Sequence, residues 1–212
     1  YHPEHGYYSS DRCAIGRRGD YFTSVSVGPL FGQMLAAQFA EIWEKLDRPN
    51  DFVIVEQGAH HGEFASDVLE AIRAERPEFF AALRYRMVEP FPVLCRRQQG
   101  VLRPFVEKAE WAASVDEMEP FCGVHFSNEL LDAMPVHIVK TRADGIDELG
   151  VSARDGAFGW SARPATGALL GAASELKLAP GYTTEIALAA RAFIRTLGAH
   201  LARGVAILID YG

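Results

Sequence analysis

Phe52-Val53-Ile54-Val55-Glu56-Gln57-Gly58-Ala59-His60-His61-Gly62 is the stretch that decides the fold. Four consecutive apolar residues make a run of strand length with no polar face, as a parallel strand buried on both sides requires. The run enters a turn with glycines at 58 and 62. A helical pattern follows, in which Phe64, Val68, Leu69 and Ile72 share one face. Strand, glycine turn and helix in that order begin a βαβ unit. Its turn lets backbone amides and the positive end of the helix approach a ligand at the carboxyl end of the strand.

The same alternation extends outward. A further strand is expected over 83–88, ending at Glu89-Pro90, then a helix over about 93–102, then a strand over 123–127 ending at Asn128-Glu129. Upstream, Phe31, Leu35, Phe39, Ile42, Trp43 and Leu46 form one helical stripe, stopped by Pro49-Asn50-Asp51, and Pro77 is expected to close the second helix. This is the pattern of an α/β domain with a doubly wound, mostly parallel sheet and all its loops on one carboxyl edge. From 136 the pattern changes. An alternating strand over 136–141 and the turn signals Asp144-Gly145 and Asp155-Gly156 point to hairpins, and 164–180 has no clear period. The expected organisation is an N-terminal arm and helix over 1–50, a Rossmann-like core over 51–135, a β-rich insertion over 136–182, and a return to the core over 183–212 through a helix to near Gly204 and a strand over 205–209. The chain opens on Tyr1 and stops just past a strand, so it is expected to continue beyond Gly212.

Composition narrows the function. The 212 residues are 49% hydrophobic and 23% charged, with a net charge of −7. Such an acidic chain is not expected to bind nucleic acid or an anionic membrane surface, both of which call for a basic face. No apolar run approaches the roughly 18 residues of a membrane span. The three cysteines are widely spaced and form no CxxC, which points away from a disulfide framework and towards a reducing, cytoplasmic setting. His60-His61 invites a metal reading, but adjacent histidines in a tight turn are not expected to face one ion, and no metal is assigned. There is no Gly-x-Ser-x-Gly elbow and no P-loop.

The chemistry-bearing residues collect at the strand ends. Glu56, Gly58, His60 and Gly62 form Glu-x-Gly-x-His-x-Gly. Methyltransferases use Glu/Asp-x-Gly-x-Gly-x-Gly there, with the acidic residue helping to hold the cationic methionine end of S-adenosylmethionine; an ordinary strand-to-helix turn is the plain alternative. Glu89, at the tip of the second strand, is placed to accept hydrogen bonds from ribose hydroxyls, although it lies further from the first turn than the usual interval of about 20 residues. Asn128, Glu129 and Asp132 cluster after the 123–127 strand, where they could bind, accept a proton or cap a helix.

Five segments in order resemble the MidA-like family of class I methyltransferases, which includes the complex I assembly arginine methyltransferase. They are His5-Gly6-Tyr7-Tyr8; Gly19-Asp20-Tyr21-Phe22-Thr23-Ser24 with Phe31-Gly32; the glycine turn; Asn128-Glu129-Leu130-Leu131-Asp132-Ala133-Met134-Pro135-Val136; and Ile209-Asp210-Tyr211-Gly212. The resemblance implies a Rossmann-like class I fold, S-adenosylmethionine as cofactor and a protein arginine as methyl acceptor. It implies cofactor contacts from Glu56, Gly58, His60, Gly62, Glu89, Trp111, Thr23 and Ser24, and catalytic roles for Glu129, Asp132 and Asn128, whose carboxylates would fork the guanidinium and take its proton. The sequence departs from the family at two places: His60 replaces the middle glycine, and Val25-Ser26-Val27-Gly28 replaces Pro-Glu-Ile-Ser. A side chain at 60 would intrude on the methionine moiety, so a non-catalytic binding or assembly factor of the same fold is the alternative. A nicotinamide-dependent oxidoreductase is the weaker third reading, because Gly-x-Gly-x-x-Gly is absent.

Overall fold

A computed structural model describes residues 28–211. The chain divides into two compact units: the residues up to Leu130 together with those from Thr196 onward, and Leu131–Arg195 between them.

The first unit is built on a five-stranded sheet. Its strands are β1 (Phe52–Gln57), β2 (Leu83–Val88), β3 (Ala109–Ala112), β4 (Phe121–Asn128) and β9 (Leu201–Ile209), in the order β3-β2-β1-β4-β9 with every neighbour parallel. β1 lies at the centre, and its four apolar residues are at most 1% exposed. Helices α1 (Leu30–Lys45), α2 (Glu63–Glu75), α3 (Pro77–Ala82) and α4 (Pro92–Val101) connect and cover the strands. Phe31 and Phe39 of α1, Phe64 of α2 and Phe126 of β4 interlock, with the Phe64 and Phe126 rings stacked at 4.3 Å. Two close approaches depend on glycine. A Cβ on Gly32 would stand 2.6 Å from the Asp67 Cβ, so α1 can approach α2 only without one. Gly123 faces Val53 on one side and Gly204 on the other; a Cβ on Gly123 would strike the Val53 carbonyl, and one on Gly204 the Gly123 carbonyl.

The second unit holds an antiparallel sheet in the order β7-β6-β5-β8, from β5 (His137–Thr141), β6 (Ile146–Arg154), β7 (Ala157–Pro164) and β8 (Thr183–Ile186). Val139, Ala165, Leu169, Ala172, Ala173 and Ile186 form its core. The Asp155-Gly156 turn has φ of 51° and 77°, the pair of left-handed conformations a two-residue hairpin needs. Helix α6 (Leu188–His200) spans the boundary between the units.

Several element expectations require correction. β3 was not expected; its Ala and Glu favour strands weakly, and it forms through pairing with β2. The 164–180 stretch holds helix α5 (Gly167–Glu175), whose small residues Ala172 and Ala173 blur the periodicity around buried Leu169. Pro77 does not close the second helix but opens α3 as its first residue, where a proline's missing N–H costs nothing. The last helix stops at His200, and the 201–204 segment belongs to β9.

Candidate functional site

The parallel sheet brings the tips of its strands to one edge. Gln57 lies in register with Val88 on one side and Ser127 on the other, and Asn128 with Ile209. Gly58, Glu89, Glu129 and Asp210 therefore each begin a loop at this edge. Asp132 belongs to the second unit. Thr23 and Ser24 lie outside the described residues.

The turn after β1 is wound left-handed at three points: Gly58 (φ 82°), His60 (φ 47°) and Gly62 (φ 91°). Gly62 needs its conformation to close onto Ala59, to whose carbonyl its N–H donates at 2.8 Å. His60 holds the same hand without being glycine, a strain of roughly 1 kcal/mol. Its ring stacks on His61 at 3.6 Å between centroids. Burial, with help from His61 and Arg97, pushes its pKa down to about 4, so the ring is neutral at pH 7. Its Nε2 is buried with no hydrogen-bond partner among the described residues, and so is the Gln57 Oε1 at the tip of β1. These two orphaned atoms lie beside a turn in which Gly58 is exposed, as an edge built for a polar ligand requires.

Glu56 does not stand out from the strand as an exposed acid. It is 3% exposed and accepts a hydrogen bond from the Tyr85 hydroxyl at 2.6 Å. Burial raises its pKa to about 8, against the Tyr85 contact, which favours the charged form. At neutral pH the carboxyl therefore keeps its proton, where the sequence suggested a carboxylate facing a cation.

Glu89 is 6% exposed. Its Oε1 accepts from the Phe91 N–H and its Oε2 from the Gln98 side-chain amide, both at 3.0 Å. Burial raises its pKa, and those two donors work against the rise. The Gln98 amide also donates to the His60 carbonyl at 2.9 Å and accepts from the Trp111 indole N–H at 2.9 Å. Three positions singled out in the sequence, His60, Glu89 and Trp111, thus meet through a residue that sequence reasoning missed. The signal was available: Gln98 sits four residues from both Leu94 and Leu102, on the core-facing stripe of α4, where the period asks for an apolar residue. Trp111 lies within β3.

At the tip of β4, Glu129 is left-handed (φ 50°) and its N–H donates to the Ile209 carbonyl at 2.8 Å. Asn128 and Glu129 are both half-buried. His60, His61 and Glu63 place possible ligand atoms within 4.8 Å of one another, so adjacent histidines in this turn do face one point, contrary to the expectation. The Arg97 guanidinium, 3.1 Å from the His61 Nε2, sets a fixed positive charge there and opposes a cation. Among the described residues no helix is long and apolar enough to cross a membrane.

Residues 34–212 match the family described as "Putative S-adenosyl-L-methionine-dependent methyltransferase". The chain is 27% identical to "Protein arginine methyltransferase NDUFAF7 homolog, mitochondrial" of Drosophila melanogaster, over 99% of this chain and 54% of the relative. It is 25% identical to the Caenorhabditis elegans homolog, over 70% of this chain and 38% of that one. A crystal structure of a Burkholderia thailandensis protein bound to S-adenosyl-homocysteine superposes with a TM-score of 0.83 at 36% identity, covering 100% of this chain and 55% of the other. The chain spans about half the length of the Drosophila relative it matches. The expectation of a cytoplasmic setting does not stand, because the curated relatives are mitochondrial proteins.

Proposed function

Because the chain belongs to this family of S-adenosyl-L-methionine-dependent methyltransferases, we propose that it transfers a methyl group from S-adenosylmethionine to a protein side chain, an arginine guanidinium. The observation that carries the reading is Glu89: a buried carboxylate fixed at the tip of β2 by two donors, with a further lone pair on each oxygen to accept from a ribose. The orphaned Gln57 Oε1 beside the left-handed turn fits the polar methionine end of the same ligand. Gly58 and Gly62 let the backbone approach it, Trp111 borders the nucleoside side, and Thr23 and Ser24 belong to the proposed cofactor contacts.

When bound, the cofactor supplies an electrophilic methyl on a sulfonium. The chain's own residues bind, align and exclude water. In this reading Glu129 and Asn128, at the tip of β4, hold the acceptor by its N–H groups, and Asp132 is carried as a further candidate carboxylate from the family resemblance. Glu129 takes the proton released as the new N–C bond forms and the C–S bond breaks. Neutral His60 adds no positive charge against the sulfonium. Glu56, protonated while the edge is empty, can ionise when a cation is bound beside it.

Calorimetric titration with S-adenosylmethionine and S-adenosylhomocysteine tests the proposal. Binding in the micromolar range, about −8 kcal/mol, followed by transfer of a labelled methyl to arginine-containing protein, is the expected result. A folded chain that binds neither overturns it. One observation favours a second reading, a non-catalytic binding factor: a side chain at 60, where the family carries glycine. Cofactor binding without methyl transfer to any acceptor would support that reading.

A further inference from the structure

From the hydrogen bonds of Gln98 we infer that this residue is the positioning residue for nucleoside recognition: it aims the Glu89 carboxylate at the ribose and ties it to the glycine turn and to Trp111. The inference rests on the cofactor reading above. Gln98 is fully buried. An amide has two N–H donors and one carbonyl oxygen, and here all are engaged. The two donors go to the Glu89 Oε2 and the His60 carbonyl, and the oxygen accepts from Trp111. The Trp111 indole can only donate and the His60 backbone carbonyl can only accept, so the amide has one permitted orientation. A buried amide with every bond made and no alternative partner is rigid. It holds three segments that lie far apart in the chain: the turn after β1, the tip of β2 and the strand β3. A Cβ at Gly62 would stand 3.4 Å from the Gln98 Cα, so the turn also packs directly on this residue.

A purely structural role would be to fill space and satisfy Trp111. The positioning role makes a different demand. Without the amide donor, the Glu89 Oε2 loses the bond that fixes its plane, and the carboxylate can swing away from the ribose hydroxyls. The readout is therefore selectivity for a ribose over a deoxyribose, and not affinity alone. In the full chain, adenosine and 2′-deoxyadenosine are titrated against the wild type and Gln98→Met, with S-adenosylhomocysteine as a reference ligand. The wild type is expected to prefer adenosine by about tenfold or more, the worth of a hydrogen bond to a charged group. Gln98→Met should bring that preference close to one. A variant that weakens both nucleosides equally and keeps the preference overturns the positioning role. A wild type that binds S-adenosylhomocysteine but shows no ribose preference overturns it too. A wild type that binds none of the three overturns the cofactor reading and this inference with it. Should Gln98→Met not fold, Gln98→Leu removes both donors with another apolar side chain, and the same comparison decides.

Discussion

At the scale of single residues, His60 and Glu56 make the sharpest predictions. His60 stands where the resemblance calls for a glycine, and it holds a left-handed φ of 47°. His60→Gly is expected to tighten S-adenosylmethionine binding by roughly 1 kcal/mol, about fivefold. Unchanged binding in the same titration would make the imidazole neutral to the ligand, and weaker binding would make it a ligand contact. Glu56 keeps its proton in the folded protein up to about pH 8, whereas the unfolded chain releases it near the ordinary glutamate value of 4.5. Its contribution to stability is thus fully present below pH 4.5 and lost as pH rises through 8. Urea unfolding of Glu56→Gln should show less loss of stability than the wild type between pH 5 and pH 8, by on the order of 1–3 kcal/mol. Parallel curves would mean that the folded protein does not hold that proton. The position of Glu89 at the tip of β2 was legible from the sequence, because the apolar strand before it ends plainly at Val88. Gln98 was not, because an amide on an apolar stripe reads as noise until its three partners are seen.

At the scale of elements, the long apolar strands and the strongly periodic helices were legible, since burial on two faces or on one stripe leaves a plain pattern. β1 and β2 are read from Phe52 and Leu83 onward with little error, and both Asp-Gly turns fall between the strands expected around them. β3 and α5 were not legible. Ala-Glu-Trp-Ala becomes a strand only beside β2, and α5 buries alanines that leave no hydrophobic contrast. The crossing glycines give the clearest test. Gly123→Ala drives a methyl into the Val53 carbonyl and should unfold the chain or destabilise it by about 3 kcal/mol or more, read as a shift in the urea midpoint. The β6–β7 hairpin is the opposite case. Phe158 and Trp160 are 86% and 68% exposed. Phe158→Lys and Trp160→Lys should each leave the midpoint within about 0.5 kcal/mol.

At the scale of the whole molecule, ligand and fold are linked by mass action. At a hundredfold excess over its Kd, S-adenosylhomocysteine should stabilise the chain by about 2.7 kcal/mol, which a thermal melt registers as a rise of several degrees. A melt that does not move at that concentration contradicts the site. The order β3-β2-β1-β4-β9 has a further consequence, one of timing. The first turn of the edge is written at Gly58, but the last of the described strands in this sheet ends at Ile209, whose carbonyl accepts from the Glu129 N–H. A chain leaving the ribosome at about 5–20 residues per second carries its glycine turn for many seconds before that partner exists. Among the described strands, the β4 side of the edge is therefore completed last, and Glu129 gains the partner for its N–H only once β9 has been synthesised and paired.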